Sequence, residues 1–204
     1  MGTEGNGRRP LSRQQVLVVY VEDRPGVLTR VASLFRRRSF NIASLTVGHT
    51  DQPGVSRMTI VMEGDPADAL RCEANLYRLV NVLRVENVTD RAAVLRDLAL
   101  VKVRCTVEGR REVMQVCEVF RARIVDMSLE AVIIEITGTE DKIEGLVDVL
   151  RPFGIIEMVR TGSVAMTRGA QAPSMDPHFV HATVPGAGDG VTGGVSVAAA
   201  ADEG

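Results

Sequence analysis

The stretch VEDRPGVLTRVASLFRRRSFNIASL, Val21 to Leu45, decides the fold. It leaves an apolar strand, breaks at Asp23-Arg24-Pro25-Gly26, resumes as a helix, and enters a second strand at Asn41. The helix carries Val27, Leu28, Val31, Leu34 and Phe35 at helical spacing, which predicts one buried face. Arg30, Arg36, Arg37 and Arg38 stand on the other face, and the last three also complement the negative end of the helix dipole.

Outward from this stretch the pattern continues in both directions. Upstream, VLVVYV from Val16 is apolar at both alternating sets of positions, which predicts a strand covered on both faces. Downstream, NIASLTVGHT and VSRMTIVME read as a hairpin joined across Asp51-Gln52-Pro53-Gly54. Asp65-Pro66 supplies an N-cap and a first-turn proline for a second helix, with Leu70, Leu76 and Tyr77 as inward candidates, and VLRVENV is the closing strand. The order strand, helix, strand, strand, helix, strand is the split βαβ arrangement of ferredoxin-like domains, an α+β class.

The same order recurs. LALVKVRCTV is a strand, Val113, Cys117 and Phe120 mark a helix, and ARIVDM with AVIIEIT form a hairpin. Ile143, Leu146, Val147 and Leu150 stripe a fourth helix that Pro152 ends, and GIIEMV is the last strand. The chain is expected to hold two ferredoxin-like βαββαβ modules in tandem, over residues 16–90 and 96–168. A polar leader, residues 1–13, and a Gly/Ala-rich tail, residues 169–204, are expected to be disordered. Helices shield only one face of each small sheet, so association into at least a homodimer is expected.

Composition narrows the partners. The 204 residues carry 24 Lys and Arg against 26 Asp and Glu, a formal net charge of -2, so the whole chain is no electrostatic partner for nucleic acid or an anionic membrane. Cys72, Cys105 and Cys117 lie in apolar patterns without a C-x-x-C pairing, which predicts reduced core thiols. No secretory signal, membrane-spanning run or myristoylation motif is present, since Asn6 stands where that motif needs Ser or Thr. A cytoplasmic protein is expected.

The catalytic inventory is thin. His49 falls at a strand end, and His178 and His181 fall in the tail, where neither a general base nor a metal is held; no P-loop, nucleophile elbow or paired-cysteine zinc site occurs. Gly186-Ala187-Gly188-Asp189-Gly190 has the wrong spacing for a dinucleotide fingerprint. Tryptophan is absent and aromatics make up 3% of the chain, which argues against an RNA-binding sheet. The break at Asp23 to Gly26 admits two readings. A helix N-terminus beside a glycine is a ready site for a carboxylate, with Asp23 able to pair with an ammonium group. Equally, Asp23 can cap the helix while Pro25 sets its first turn and Gly26 makes the bend.

The run GVLTRVASLFRRRSFNIASLTVG, the proline-containing turn, SRMTIVMEGD and LYRLVNVLRV together resemble the N-terminal ACT domain of the small regulatory subunit of acetolactate synthase, also called acetohydroxyacid synthase. LALVKV and the closing RTGSVAMTRG resemble that family's C-terminal domain. The resemblance implies a non-catalytic subunit of branched-chain amino acid biosynthesis. It implies a large catalytic subunit as partner, which would carry thiamine diphosphate, Mg and FAD, with no cofactor or metal on this chain. It also implies activation of that partner and feedback inhibition by a branched-chain amino acid, usually valine. The effector would lie between two ACT domains, on Asp23, Gly26, Val27 and Leu28 of one chain with Asn41 and Ile42 of a neighbour. Arg30, Arg36 and Arg37 are the candidate docking surface for the catalytic partner. Asp23 departs from the family's usual Asn, and Ser39 stands where glycine is usual, putting an L residue in a left-handed turn. A different class of protein, a stand-alone amino-acid-sensing ACT regulator of another enzyme or a transcription factor, is the alternative.

Overall fold

The computed structural model describes residues 14–170; the leader, His178, His181 and the glycine-rich segment 186–190 lie outside them. The first unit runs β1 (Gln14–Glu22), α1 (Val27–Arg37), β2 (Asn41–His49), β3 (Val55–Glu63), α2 (Pro66–Leu76) and β4 (Val82–Asn87). Its antiparallel sheet has the order β2-β3-β1-β4. The second unit repeats this with β5 (Ala93–Arg104), α3 (Arg110–Phe120), β6 (Arg123–Met127), β7 (Ala131–Gly138), α4 (Glu140–Leu150) and β8 (Ile155–Arg160), in the order β6-β7-β5-β8. The expected tandem ferredoxin-like α+β arrangement is therefore present.

Each helix layer closes on one sheet face. In the first unit Val27, Val31, Leu34 and Phe35 meet Leu17, Val19, Met58, Ile60 and Met62. In the second, Val113, Cys117, Ile143, Leu146 and Leu150 meet Val101, Val103, Ile134 and Ile136. The three cysteines are free and buried, as expected. Three positions of the predicted stripes turn outward. Leu28 is 45% exposed, while in α2 the inward set is Ala69, Cys72 and Leu76, with Leu70 and Tyr77 exposed. Cys72 and Leu76 join the core against the sheet, so tertiary packing selects this phase over the one that Leu70 and Tyr77 suggest. Tyr77 serves elsewhere: its hydroxyl accepts from the N–H and donates to the carbonyl of Val85, each at 3.1 Å, covering polar groups on β4, an edge strand.

The repeat extends to the helix ends. After α1 the Phe40 N–H bonds the Phe35 carbonyl at 3.1 Å and the Ser39 N–H bonds that of Arg36 at 3.3 Å. After α3, Ala122 bonds Cys117 at 2.8 Å and Arg121 bonds Glu118 at 3.1 Å. Both are Schellman closures with a left-handed residue that is not glycine: Ser39 at φ 56° and Arg121 at φ 51°. The left-handed turn expected at Ser39 is thus observed.

A ninth strand, β9 (Val164–Thr167), was not legible in the pattern. It pairs antiparallel with Ala93–Arg96, the first part of β5. Ala165 and Leu95 of this ribbon pack on Val16, Val18, Tyr20 and Val61, the face of the first sheet away from its helices. The second face of β1 is covered as its apolar sequence demands, but by the chain itself and not by a second copy.

Candidate functional site

Gly26 is the N-cap of α1, at φ 83° and ψ -5°, and no side chain caps the helix. The capping role considered for Asp23 is not what the chain adopts: Asp23 sits three residues before the cap and turns to His49, its Oδ2 3.2 Å from Nδ1. Pro25 likewise lies before the helix. A Cβ on Gly26 would meet nothing within 4 Å, so glycine is required there by the left-handed backbone, and the space before it is open. The Val27 N–H reaches the Arg24 carbonyl at 3.3 Å and the Arg30 N–H closes the first helical bond to Gly26 at 3.0 Å. Between them, the amides of Leu28 and Thr29 find no acceptor among the described residues. Two free N–H groups at the positive end of a helix form a receptor for a carboxylate.

The surroundings hold this end in place. The Asp23 N–H donates to the Gly54 carbonyl at 2.8 Å, tying the bend to the β2–β3 turn. The Asn81 amide donates to Glu22 Oε2 at 2.6 Å and its oxygen accepts from the Arg30 guanidinium, linking α1 to the turn before β4. Arg24 faces Glu22 at 3.3 Å. His49 and Asn81 are the neighbours that the sequence does not reveal: His49 lies 26 residues along the chain from Asp23, on β2, and Asn81 reaches a partner 59 residues away.

The predicted site residues separate into two groups. Asp23, Gly26, Val27 and Leu28 gather at the start of α1, with Val27 buried beneath and Leu28 exposed beside the open amides. Asn41 and Ile42 stand at the other end of that helix, at the start of β2. Eleven helical residues, about 16 Å, lie between the two groups. Asn41 is exposed, and its amide N–H donates to Glu63 Oε2 at 2.8 Å, leaving its oxygen without a partner among the described residues. Of the docking candidates, Arg30 is committed to Asn81, whereas the side chains of Arg36 and Arg37 are exposed and make no ion pair among the described residues. No group of three or more His, Cys, Asp or Glu among the described residues is placed to hold a metal.

Two ferredoxin-like units in tandem, with an open helix N-terminus flanked by a carboxylate and an exposed leucine, define a protein of the ACT class. The comparisons specify which one. Residues 17–84 match the model of the acetohydroxyacid synthase small subunit-like ACT domain, and residues 96–169 match the model of the small subunit of acetolactate synthase. The acetolactate synthase small subunit of Mycolicibacterium smegmatis is 45% identical over 153 residues, 75% of this chain and 90% of that one. That of Bacillus subtilis is 41% identical over 160 residues, 78% of this chain and 92% of its own. The crystal structure of the acetolactate synthase small subunit from Thermotoga maritima superposes with a TM-score of 0.73 at 40% identity, over 78% of this chain and 99% of that one. The chain belongs to the acetolactate synthase small-subunit family.

Proposed function

We propose that this protein is the regulatory partner of a thiamine diphosphate-dependent acetolactate synthase catalytic subunit in the cytoplasm, raising its activity and transmitting feedback inhibition by a branched-chain amino acid, valine in the first instance. No described helix is long and apolar enough to cross a membrane. The observation that carries the effector reading is the uncapped amide pair at Leu28 and Thr29 beside Asp23, with Asn41 too far away to complete the pocket from within the chain. The amides receive the carboxylate, Asp23 pairs with the ammonium group, and the exposed Leu28 side chain meets the aliphatic part. A second copy whose α1 and β2 run antiparallel to the first brings its Asn41 and Ile42 to this end. Both β2 strands are edges and most of their residues are partly or fully exposed, so they are free to meet in a homodimer.

A ligand that bridges two chains favours the dimer geometry that completes its pocket, and the population shifts accordingly. A coupling of about 1–3 kcal/mol gives a several-fold to hundredfold effect on the partner site. The test is acetolactate formation by the cognate catalytic subunit, with and without this protein, across a valine titration. Activation that valine reverses, and that Asn41→Ala and Gly26→Ala desensitise, is the expected result. No activation refutes the reading.

A further inference from the structure

Residues 162–167 cross from the second unit onto the first, and they touch the strand whose start carries Asn41 and Ile42. The Ser163 N–H donates to Ser44 Oγ at 3.0 Å. Gly162 lies so close to β2 that a Cβ there would collide with Ser44 Oγ, stand 2.6 Å from Thr46 Oγ1 and lie 3.3 Å from the Leu45 carbonyl carbon. Farther along, Ala165 is 1% exposed, and its carbonyl accepts from the Arg57 guanidinium of β3. Arg57 in turn lies 5.7 Å from the centre of the Tyr20 ring and bonds Thr59 Oγ1 at 3.2 Å. In the other direction Ser163 Oγ donates to Asp97 of β5. Asp97 is held by Arg160 at 3.0 Å, and Arg160 donates to Glu144 of α4 at 2.7 Å. An uninterrupted series of close contacts therefore runs from β2 to the fourth helix.

The place where this series meets β2 matters. The β2–β3 register shifts between Ile42 and Ser44, leaving Ala43 as a bulged residue. A bulge re-aims neighbouring side chains and bends the strand. One flank of this bulge carries Asn41 and Ile42; the other is Ser44, under Ser163. The second flank lies directly against Gly162, where an added Cβ would find no room beside Ser44 Oγ.

We propose that Gly162–Thr167 is a positioning strap: it fixes the bulge of β2, and with it Asn41 and Ile42, and it carries the occupancy of that end of the strand into the second unit. The transmission half of this inference rests on the effector reading above; the clamp does not. Gly162 and Ser163 act through β2 and touch no ligand.

The experiment uses the full chain with Gly162→Ala, which sets a methyl group against the Ser44 and Thr46 hydroxyls and the β2 backbone, and Ser44→Ala, which removes one acceptor and adds no bulk. Three readouts are taken: hydrogen exchange at residues 42–46, valine binding by calorimetry, and valine inhibition of the reconstituted complex. Gly162→Ala is expected to lose protection at residues 42–46 and to raise the valine concentration for half-inhibition about tenfold or more, a shift within the usual span of allosteric coupling, while activation of the catalytic subunit persists. Unchanged protection overturns the clamp, and unchanged inhibition overturns the transmission. If Gly162→Ala aggregates, Ser44→Ala decides by the same criteria, with a smaller shift. A merely structural role would lower activation, binding and inhibition together and counts against the strap. If the wild-type protein neither activates nor responds to valine, the effector reading fails, and exchange at residues 42–46 still decides the clamp.

Discussion

Replacing Ser39 by glycine should stabilise the protein, and replacing Gly26 by alanine should destabilise it, although both changes exchange one small residue for another. Each residue sits in left-handed backbone, Ser39 at φ 56° and Gly26 at φ 83°. That conformation costs an L residue about 1–2 kcal/mol, against about 0.4–1 kcal/mol for the extra freedom that glycine gives the unfolded chain. The difference leaves a net effect of about 0.5–1 kcal/mol per site, favourable for Ser39→Gly and unfavourable for Gly26→Ala. Packing does not confound the comparison, because Ser39 is exposed and a Cβ on Gly26 meets nothing within 4 Å. Arg121→Gly, at φ 51° in the matching turn of the second unit, is the internal repeat of the test. Its effect should add to that of Ser39→Gly, since the two turns share no partners. For a chain of this size about 1 kcal/mol moves Tm by roughly 2–4 °C, so the double variant should melt about 2–8 °C higher in a calorimetric scan. A Ser39→Gly protein that melts lower than wild type, or a Gly26→Ala protein that melts higher, would refute the reasoning.

Other perturbations have equally definite outcomes. Asp65 accepts from the Asp68 N–H at 2.8 Å while the Asp68 side chain accepts from the Asp65 N–H at 3.1 Å, so Asp65→Ala should cost about 1 kcal/mol in urea denaturation. Burial, with Glu73 beside it, pushes the Cys72 thiol up to about 12, and burial with Cys105 nearby also raises that of Cys117; native protein should resist a thiol reagent at pH 8, with reaction only on unfolding. Phe35 is 1% exposed and meets Phe40 edge-to-face at 5.9 Å, so Phe35→Ala should cost about 3–5 kcal/mol and leave little folded first unit at 37 °C, read by circular dichroism. Arg36→Glu with Arg37→Glu should weaken activation of the catalytic subunit without altering valine binding; unchanged activation would remove this helix end from the docking surface.

Much of the architecture is written locally. The strand at Val16, the helix at Val27, the hairpin across Pro53-Gly54 and the Asp65-Pro66 helix start each depend on residues a few positions apart, and the structure keeps all of them. Where local signals competed, they misled. In α2 the large apolar residues Leu70 and Tyr77 mark one phase and the small Ala69 and Cys72 another, and only packing against the sheet selects the second. At the bend, Asp23 has the chemistry of a helix cap, but the left-handed backbone at Gly26 carries the chain past it and leaves its carboxylate to His49.

The sequence by itself determined that two βαββαβ units follow one another, which faces of the first and fourth helices are buried, and that the first helix begins at a glycine with an acidic residue nearby. Periodicity, turn chemistry and capping act within one or two turns of chain, so they survive in a linear reading. Only the tertiary structure decided that β9 folds back over the first sheet and that Asn81 bridges Glu22 and Arg30. Those facts depend on contacts across dozens of residues. The first arises because the free second face of β1 must be covered by whatever apolar surface the rest of the chain can bring to it.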